Sequence, residues 1–283
     1  MSGEAPAEPH VAGRAPSGAR PIELRRLSTQ DDYAAAVALQ RETWGDQFDE
    51  LVPSTILHVV QKVGGVAAGA FAPDGRMLGF VFGITGVRHG RLAHWSDMLA
   101  VRADARDAGI GRRLKHFQRE LLREIGVEAM YWSYDPLVAR NAFLNLERLG
   151  ARVDEHVLDM YGASTGSPVH DAIGTDRFVV VWELAEEPRA ERGRSPIDWD
   201  AAPIVNAPAA PGAQPAERPL PDVPALRVAI PADIHAVIRA DPATAAAWRA
   251  TTRRAFIRYL ERGWRVAGVE RDDAGARYRL ARG

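Results

Sequence analysis

Leu99-Ala100-Val101-Arg102-Ala103-Asp104-Ala105-Arg106-Asp107-Ala108-Gly109-Ile110-Gly111-Arg112-Arg113-Leu114 is the stretch around which the rest of the chain can be organised. It opens as the end of an apolar strand and closes as the start of a helix whose apolar residues Ile110, Leu114, Phe117, Leu121, Leu122 and Ile125 recur at helical spacing. The glycines between let the backbone turn tightly and approach a ligand with no Cβ in the way. Amides at a helix start point outward with partial positive charge, which suits an anion such as a pyrophosphate. Arg106 and Arg112 add full charges. The same residues also read as a plain strand-to-helix turn. The order G-x-x-x-x-G-K-[ST] of a Walker loop is absent, and Leu114 fills the third glycine position of a dinucleotide fingerprint.

Working outward, residues 21–185 alternate strand and helix periods. Expected strands are Ile22–Leu27, Val66–Phe71, Met77–Ile84, one ending at Met98–Val101, Val127–Tyr134, Val153–Tyr161 and Phe178–Leu184. Expected helices follow a Ser28 or Thr29 cap, start at Pro53-Ser54, run over Gly109–Ile125, and span Val138–Leu149 before Gly150. Gly86–Arg91 is expected as a loop. The pattern predicts an α/β (α+β) class with a central mixed, mostly antiparallel sheet flanked by helices. Residues 1–20 read as a flexible tail and 186–224, dense in proline, as a linker or meandering surface segment that Ile197 and Trp199 pin in part. Residues 225–283 are patterned again as a C-terminal α/β extension, too short to stand alone and expected to dock on the main sheet.

The chain has 283 residues, 46% hydrophobic and 26% charged, with a formal net charge of −1. Neutral charge and the lack of a clustered basic–aromatic stripe argue against nucleic acid as a partner. There is no cysteine, which removes disulfides, thiolate metal sites and cysteine nucleophiles. The eight histidines show no zinc spacing, so no metal is implied. No apolar window is long enough to cross a bilayer, and the N-terminal segment lacks a secretory apolar region. The expected location is therefore cytoplasmic, with no membrane partner.

Leu99-Ala100-Val101 followed by Arg106-x-x-Gly109-x-Gly111 resembles the signature of the GCN5-related N-acetyltransferase (GNAT) superfamily, over about residues 21–185. The resemblance implies an acyl-coenzyme A cosubstrate, acetyl-CoA or another acyl-CoA. Its pantetheine would pair with the backbone of Leu99 and Val101, with Ala100 between them counted in the cofactor-binding stretch. Its pyrophosphate would lie on the amides of Asp107, Ala108, Gly109, Ile110 and Gly111, with Arg106 and Arg112 as flanking cofactor-binding charges. It also implies that strands at Asp97–Val101 and Met130–Tyr134 splay into a V-shaped cleft. Ala103 stands where many members have proline, and Asp107 where many have glycine. Leu146 holds the position of the usual tyrosine that protonates the leaving thiolate, and Ala139 that of a common asparagine. Asn141 and Asn145 either take over contacts to the coenzyme or serve as local caps. Trp44-Gly45, Asp135-Pro136-Leu137, Arg140-Asn141-Ala142, Leu144-Asn145-Leu146, Met160-Tyr161-Gly162, Gly174-Thr175-Asp176-Arg177 and the extension resemble a GNAT subgroup. Some members of that subgroup are associated with N-acylation of amino acids, including succinyl transfer.

The expected reaction is direct attack of a small-molecule primary amine on the thioester, since no nucleophile motif is present. An ammonium must lose a proton first. Asp97 is the first candidate base and His94 the second; Tyr161, or Tyr134, is the candidate acid. Arg177 and Arg140 could hold a carboxylate of acceptor or donor, or pair with nearby acids; for Arg177 these are Asp176 or Asp171. The competing expectation is a coenzyme A sensor that has lost catalysis. Segment 225–283 either covers the acceptor end or forms a homodimer contact.

Overall fold

The computed structural model describes residues 22–46, 48, 50–162, 173–185, 197–210, 213–272 and 275–283. The expectations for 1–20 and for 186–196, and the Asp171 pairing, lie outside those residues.

Seven strands form one sheet in the order β1-β2-β3-β4-β5-β7-β6. They are β1 (Glu23–Arg26), β2 (Val66–Phe71), β3 (Met77–Arg88), β4 (Arg91–Val101), β5 (Ala129–Tyr134), β6 (Arg152–Val157) and β7 (Arg177–Glu183). Every neighbouring pair is antiparallel except β4 with β5. β2 reads Val-Ala-Ala-Gly-Ala-Phe and is buried throughout, because helices cover both of its faces. Small side chains there let those helices come close.

On one face lie α1 (Gln30–Trp44) and α2 (Ser54–Val60), closing over Tyr33, Leu39, Leu57, Phe80 and Phe82. Thr29 caps α1 in a capping box with Asp32. Arg25 of β1 forks onto both oxygens of Asp32 at 2.7 and 2.8 Å and holds that carboxyl well below the ordinary aspartate range. On the other face, α3 (Ile110–Glu124) sinks Ile110, Leu114 and Leu122 into the sheet. Each such fully buried leucine contributes roughly 1.5–3 kcal/mol.

Two expectations are corrected. Gly86–Arg91 is not a loop: β3 runs to Arg88 and β4 starts at Arg91, leaving a two-residue His89-Gly90 turn with both residues at positive φ. The strand expected over Val153–Tyr161 ends at Val157, where the chain turns through Asp159 at φ 42°. The helix after β5 is α4 (Ala139–Phe143), which runs on as a π turn over Leu144–Arg148.

The C-terminal segment builds a second sheet, β8-β10-β9, from β8 (Ala225–Pro231), β9 (Trp264–Asp272) and β10 (Gly275–Arg282). With it come α5 (Ile234–Ala240) and α6 (Pro242–Leu260), each capped by an aspartate, Asp233 and Asp241. Phe178 of the large sheet meets Phe256 of α6 and Tyr278 of β10 at ring distances of 4.7 and 5.5 Å, so one core runs through both sheets. The stretch before β8 is partly anchored. Ile204 bridges to Arg227, and buried Asn206 exchanges hydrogen bonds with the Ala229 amide and carbonyl. Trp199 lies beneath the Arg279 guanidinium. No described helix is long and apolar enough to cross a membrane.

Candidate active site

The site begins with one missing side chain. Along β3 and β4, Phe82 faces Met98 and Ile84 faces Trp95, so Ser96 and Asp97 together oppose Gly83. This is a β-bulge, and a bulge bends its strand and re-aims side chains. A Cβ on residue 83 would collide with the Trp95 carbonyl and the His94 ring, so the bulge needs glycine there. Past the bulge the two parallel strands part: β4 pairs with β5 only at Ala93–Trp95 against Ala129–Tyr131. Arg102 donates its amide to the Leu78 carbonyl. By the alternation of the pleat, Leu99 and Val101 turn their amides and carbonyls to the open side. Arg106 Nε approaches the Val101 carbonyl at 3.4 Å.

At the mouth of this gap the backbone makes its turn. A short 3₁₀ turn (Ala103–Ala105) is followed by Asp107 at φ 64° and Gly109 at φ 72°, and α3 starts at Ile110 without a side-chain cap. No described group accepts a hydrogen bond from the amides of Asp107 to Arg112, and the first turn of α3 holds no acidic residue. This cradle of amides fits a diphosphate. The left-handed backbone at 107 gives a physical reason for the glycine that many GNAT members carry there. Aspartate tolerates that conformation better than most residues, but its carboxylate opposes the field of the amides. Gly111 is less constrained: a Cβ there would meet Leu99 and Val101 at ordinary distances of 3.6 and 3.7 Å.

A chain of polar groups runs beneath the bulge. Lys115 Nζ donates to Ser96 Oγ at 2.7 Å, Ser96 to Gln118 Oε1 at 2.8 Å, and Gln118 to His94 Nε2 at 2.9 Å. His94 Nδ1 lies 2.9 Å from Thr85 Oγ1, which itself donates to the Gly64 carbonyl at 2.7 Å. With the single Thr85 proton used on Gly64, the donor–acceptor order assigns the His94 proton to Nδ1. His94 is therefore a buried structural link turned away from the cleft. Burial, and then the Lys115 charge, hold its pKa down at about 3. Burial also lowers Lys115 to about 7, while its ammonium sits 4.0 Å from the Trp132 ring centre.

The far end of the gap brings Asp97, Tyr161, Ser133 and Arg177 together. Asp97 is solvent-accessible but recessed. Desolvation raises its carboxyl above the ordinary aspartate value, against a hydrogen bond from Trp95. Tyr161 hydroxyl and Ser133 Oγ are 2.8 Å apart. Burial raises the Tyr161 phenol, the Ser133 contact opposes that, and the Asp97 charge adds to the rise. Arg177 lies 5.3 Å over the Tyr161 ring. Its Nη1 donates to the Asp176 carbonyl and sits 3.8 Å from Asp135.

The remaining sequence candidates are placed elsewhere. Tyr134 is buried against Tyr278 (3.2 Å between hydroxyls), and burial drives its phenol far up. Asn145 is buried and accepts from the Trp132 indole at 3.1 Å, whereas Asn141 stays half-buried. Arg140 is exposed on α4. Leu146, at the usual tyrosine position, lies in the core. Sequence reasoning missed Ser133, Lys115 and Gln118. The one available signal was that 115 and 118 fall in phase with the buried face of α3.

No family model and no curated protein sequence matches the chain. Solved structures do. A protein from Desulfovibrio desulfuricans described as a candidate GNAT-family acetyltransferase is 17% identical (TM-score 0.46) and covers 58% of this chain and 100% of its own. An aminoglycoside 6'-N-acetyltransferase complexed with coenzyme A is 13% identical (TM-score 0.45), covering 59% and 99%. The ribosomal-protein-S18-alanine N-acetyltransferase from Escherichia coli is 17% identical (TM-score 0.45), covering 60% and 99%. Identities this low leave donor and acceptor to the chemistry of the site. β4 and β5, parallel at one end and apart at the other with a glycine turn at their mouth, have the splayed arrangement that the resemblance to the GNAT superfamily implies.

Proposed function

We propose that this chain is an acyl-CoA-dependent N-acyltransferase acting on the primary amine of a small molecule, an amino acid being one such acceptor, by direct attack in a ternary complex. The observation that carries the reading is the edge of β4 that β5 leaves open beyond Trp95, running into amides 107–112, for which no described group is an acceptor. Leu99 and Val101 would hold the pantetheine arm, and the turn through Gly111, with Arg106 and Arg112, the diphosphate. Bound there, an acyl-CoA, acetyl or succinyl, supplies an acyl group activated for attack and a thiol as leaving group.

The protein's own groups handle protons. Asp97 stands on the bulge at the far end of the gap, where it takes the proton from the acceptor ammonium; its raised carboxyl makes it a better base than an ordinary aspartate. Tyr161 holds a proton on its hydroxyl beside Ser133 for the departing thiolate. Arg177 backs Tyr161 and offers a positive charge to an acceptor or succinyl carboxylate. Leu146 in the core favours the second reading, a coenzyme A-binding module without turnover, because the usual proton donor is replaced by an apolar side chain.

Calorimetry with coenzyme A and thiol release from acetyl-CoA and succinyl-CoA across a panel of primary amines test both. Binding with turnover supports the enzyme and binding without it the module. No heat with coenzyme A removes both.

A further inference from the structure

We propose that Arg253, on helix α6 of the C-terminal segment, is a positioning residue that holds Tyr161 in the cleft. The inference rests on the reading of Tyr161 as the proton donor, and it gives the C-terminal segment a role in the reaction. Tyr161 belongs to no strand or helix. It lies in the turn after β6, and its place is set by a ring of contacts with the segment entering β7.

That ring closes on itself. The Asp159 amide donates to Asp176 Oδ1 at 3.1 Å, and the Thr175 amide donates to Asp159 Oδ1 at 3.2 Å. The Met160 amide donates to the Thr175 carbonyl, and the Tyr161 amide to Thr175 Oγ1, each at 3.1 Å. Thr175 Oγ1 donates in turn to the Gly162 carbonyl at 2.6 Å. Gly174 sits at φ 74°, and a Cβ on it would lie 2.5 Å from Asp159 Oδ1, so the two segments touch too closely for any side chain there. The fragments Met160-Tyr161-Gly162 and Gly174-Thr175-Asp176-Arg177 thus form one structural unit.

Arg253 closes the ring with charge. Its Nε donates to Asp176 Oδ2 at 2.8 Å, and its Nη2 to Asp176 Oδ1 at 2.5 Å and to both Asp159 oxygens at 3.0 Å. Asp176 is buried to 1% exposure. Burial works to raise its carboxyl, but Arg253 and the Asp159 amide outweigh it and hold it below the ordinary value. One turn earlier on α6, Arg249 donates to Asp135 at 2.6 Å and to the Ile173 carbonyl at 3.0 Å, fixing the end of β5 and the approach to Gly174. Among the described residues, the positive charge that clamps Asp159 and Asp176 under the Tyr161 turn comes from a helix of the C-terminal segment.

The test measures kcat, KM for acetyl-CoA and pH profiles by thiol release, with Tyr161 ionisation read from ultraviolet difference titration against Tyr161→Phe. Removing Arg253 alone strands a buried carboxylate, so Arg253→Met is combined with Asp176→Asn. Thr175→Val loosens the turn by a second route, and Arg253→Lys tests rescue. Each loosened variant is expected to lose about 10- to 100-fold in kcat. KM for acetyl-CoA holds within about twofold, since the amide cradle is untouched. Arg253→Lys recovers part of the rate, and no further loss occurs in a Tyr161→Phe background. Wild-type kcat in both loosened variants, or an equal loss in the Tyr161→Phe background, overturns the proposal. If Tyr161→Phe itself turns over normally, or no amine is acylated, the proton-donor reading falls separately. The clamp is then judged by titration alone: a Tyr161 phenol that ionises closer to the ordinary tyrosine value in both loosened variants supports it, and an unchanged titration overturns it.

Discussion

The two ends of the cleft, the proposed coenzyme end and the proposed acceptor end, are built in opposite ways. The first is almost all backbone: consecutive residues 99–112, two left-handed positions and a row of outward amides. The second is almost all side chains, with Asp97 from a bulge, Ser133 from β5, Tyr161 from a turn and Arg253 from a helix of another sheet. A backbone site is insensitive to most side-chain changes and fails when its conformation does. A side-chain site fails one residue at a time. The two ends should therefore respond to different substitutions, through different kinetic constants.

The largest expected effect is at the acceptor end. Asp97→Asn lowers kcat by about 100-fold or more if Asp97 is the base, leaving coenzyme A affinity by calorimetry unchanged. A rate near wild type would remove Asp97 from the mechanism. Gly83→Ala attacks both ends together by forcing a methyl into the bulge. Overpacking of this kind costs about 1–3 kcal/mol, read as a lower melting temperature, and turnover falls with it because Asp97 is re-aimed.

The buried polar chain under the bulge gives a pH signature. His94 is held at about 3 when folded, against an ordinary value of 6.5. Between those values the unfolded chain binds the proton and the folded one does not, so stability falls as pH drops from 6.5 toward 3, by at most about 1.4 kcal/mol per pH unit from this group. Denaturant titrations at pH 7 and 5 should show a smaller difference for His94→Gln than for wild type. An equal difference would assign the acid sensitivity elsewhere. The smallest effect belongs to the coenzyme end. Asp107→Gly relieves the left-handed conformation and removes a carboxylate from the cradle, tightening coenzyme A binding by a few-fold, about 1 kcal/mol or less. Weaker binding would show that Asp107 contributes to the grip.

The same contrast explains what could be read from sequence. The coenzyme end is local: glycine spacing, strand ending and helix period all fall within one short window, so the turn is legible there, whereas the splay of β4 from β5 follows only from the family resemblance. The acceptor end is not. Arg253 and Asp176 are 77 positions apart and Ser133 and Tyr161 are 28, and no local pattern announces such pairs. His94 shows the limit differently. A histidine on the right strand beside the cleft was a fair candidate base until its two ring nitrogens proved to be engaged beneath the sheet. The π turn at Leu144–Arg148 was also hidden, since its residues keep the composition of an ordinary helix. Asn145 within it serves the Trp132 indole.

The aromatic seam of Phe178, Phe256 and Tyr278 makes the two sheets share one fate on heating. A calorimetric scan should show one cooperative peak. A fragment ending near residue 185 would lay bare the seam, so trimming the chain to the large sheet alone is expected to yield insoluble protein.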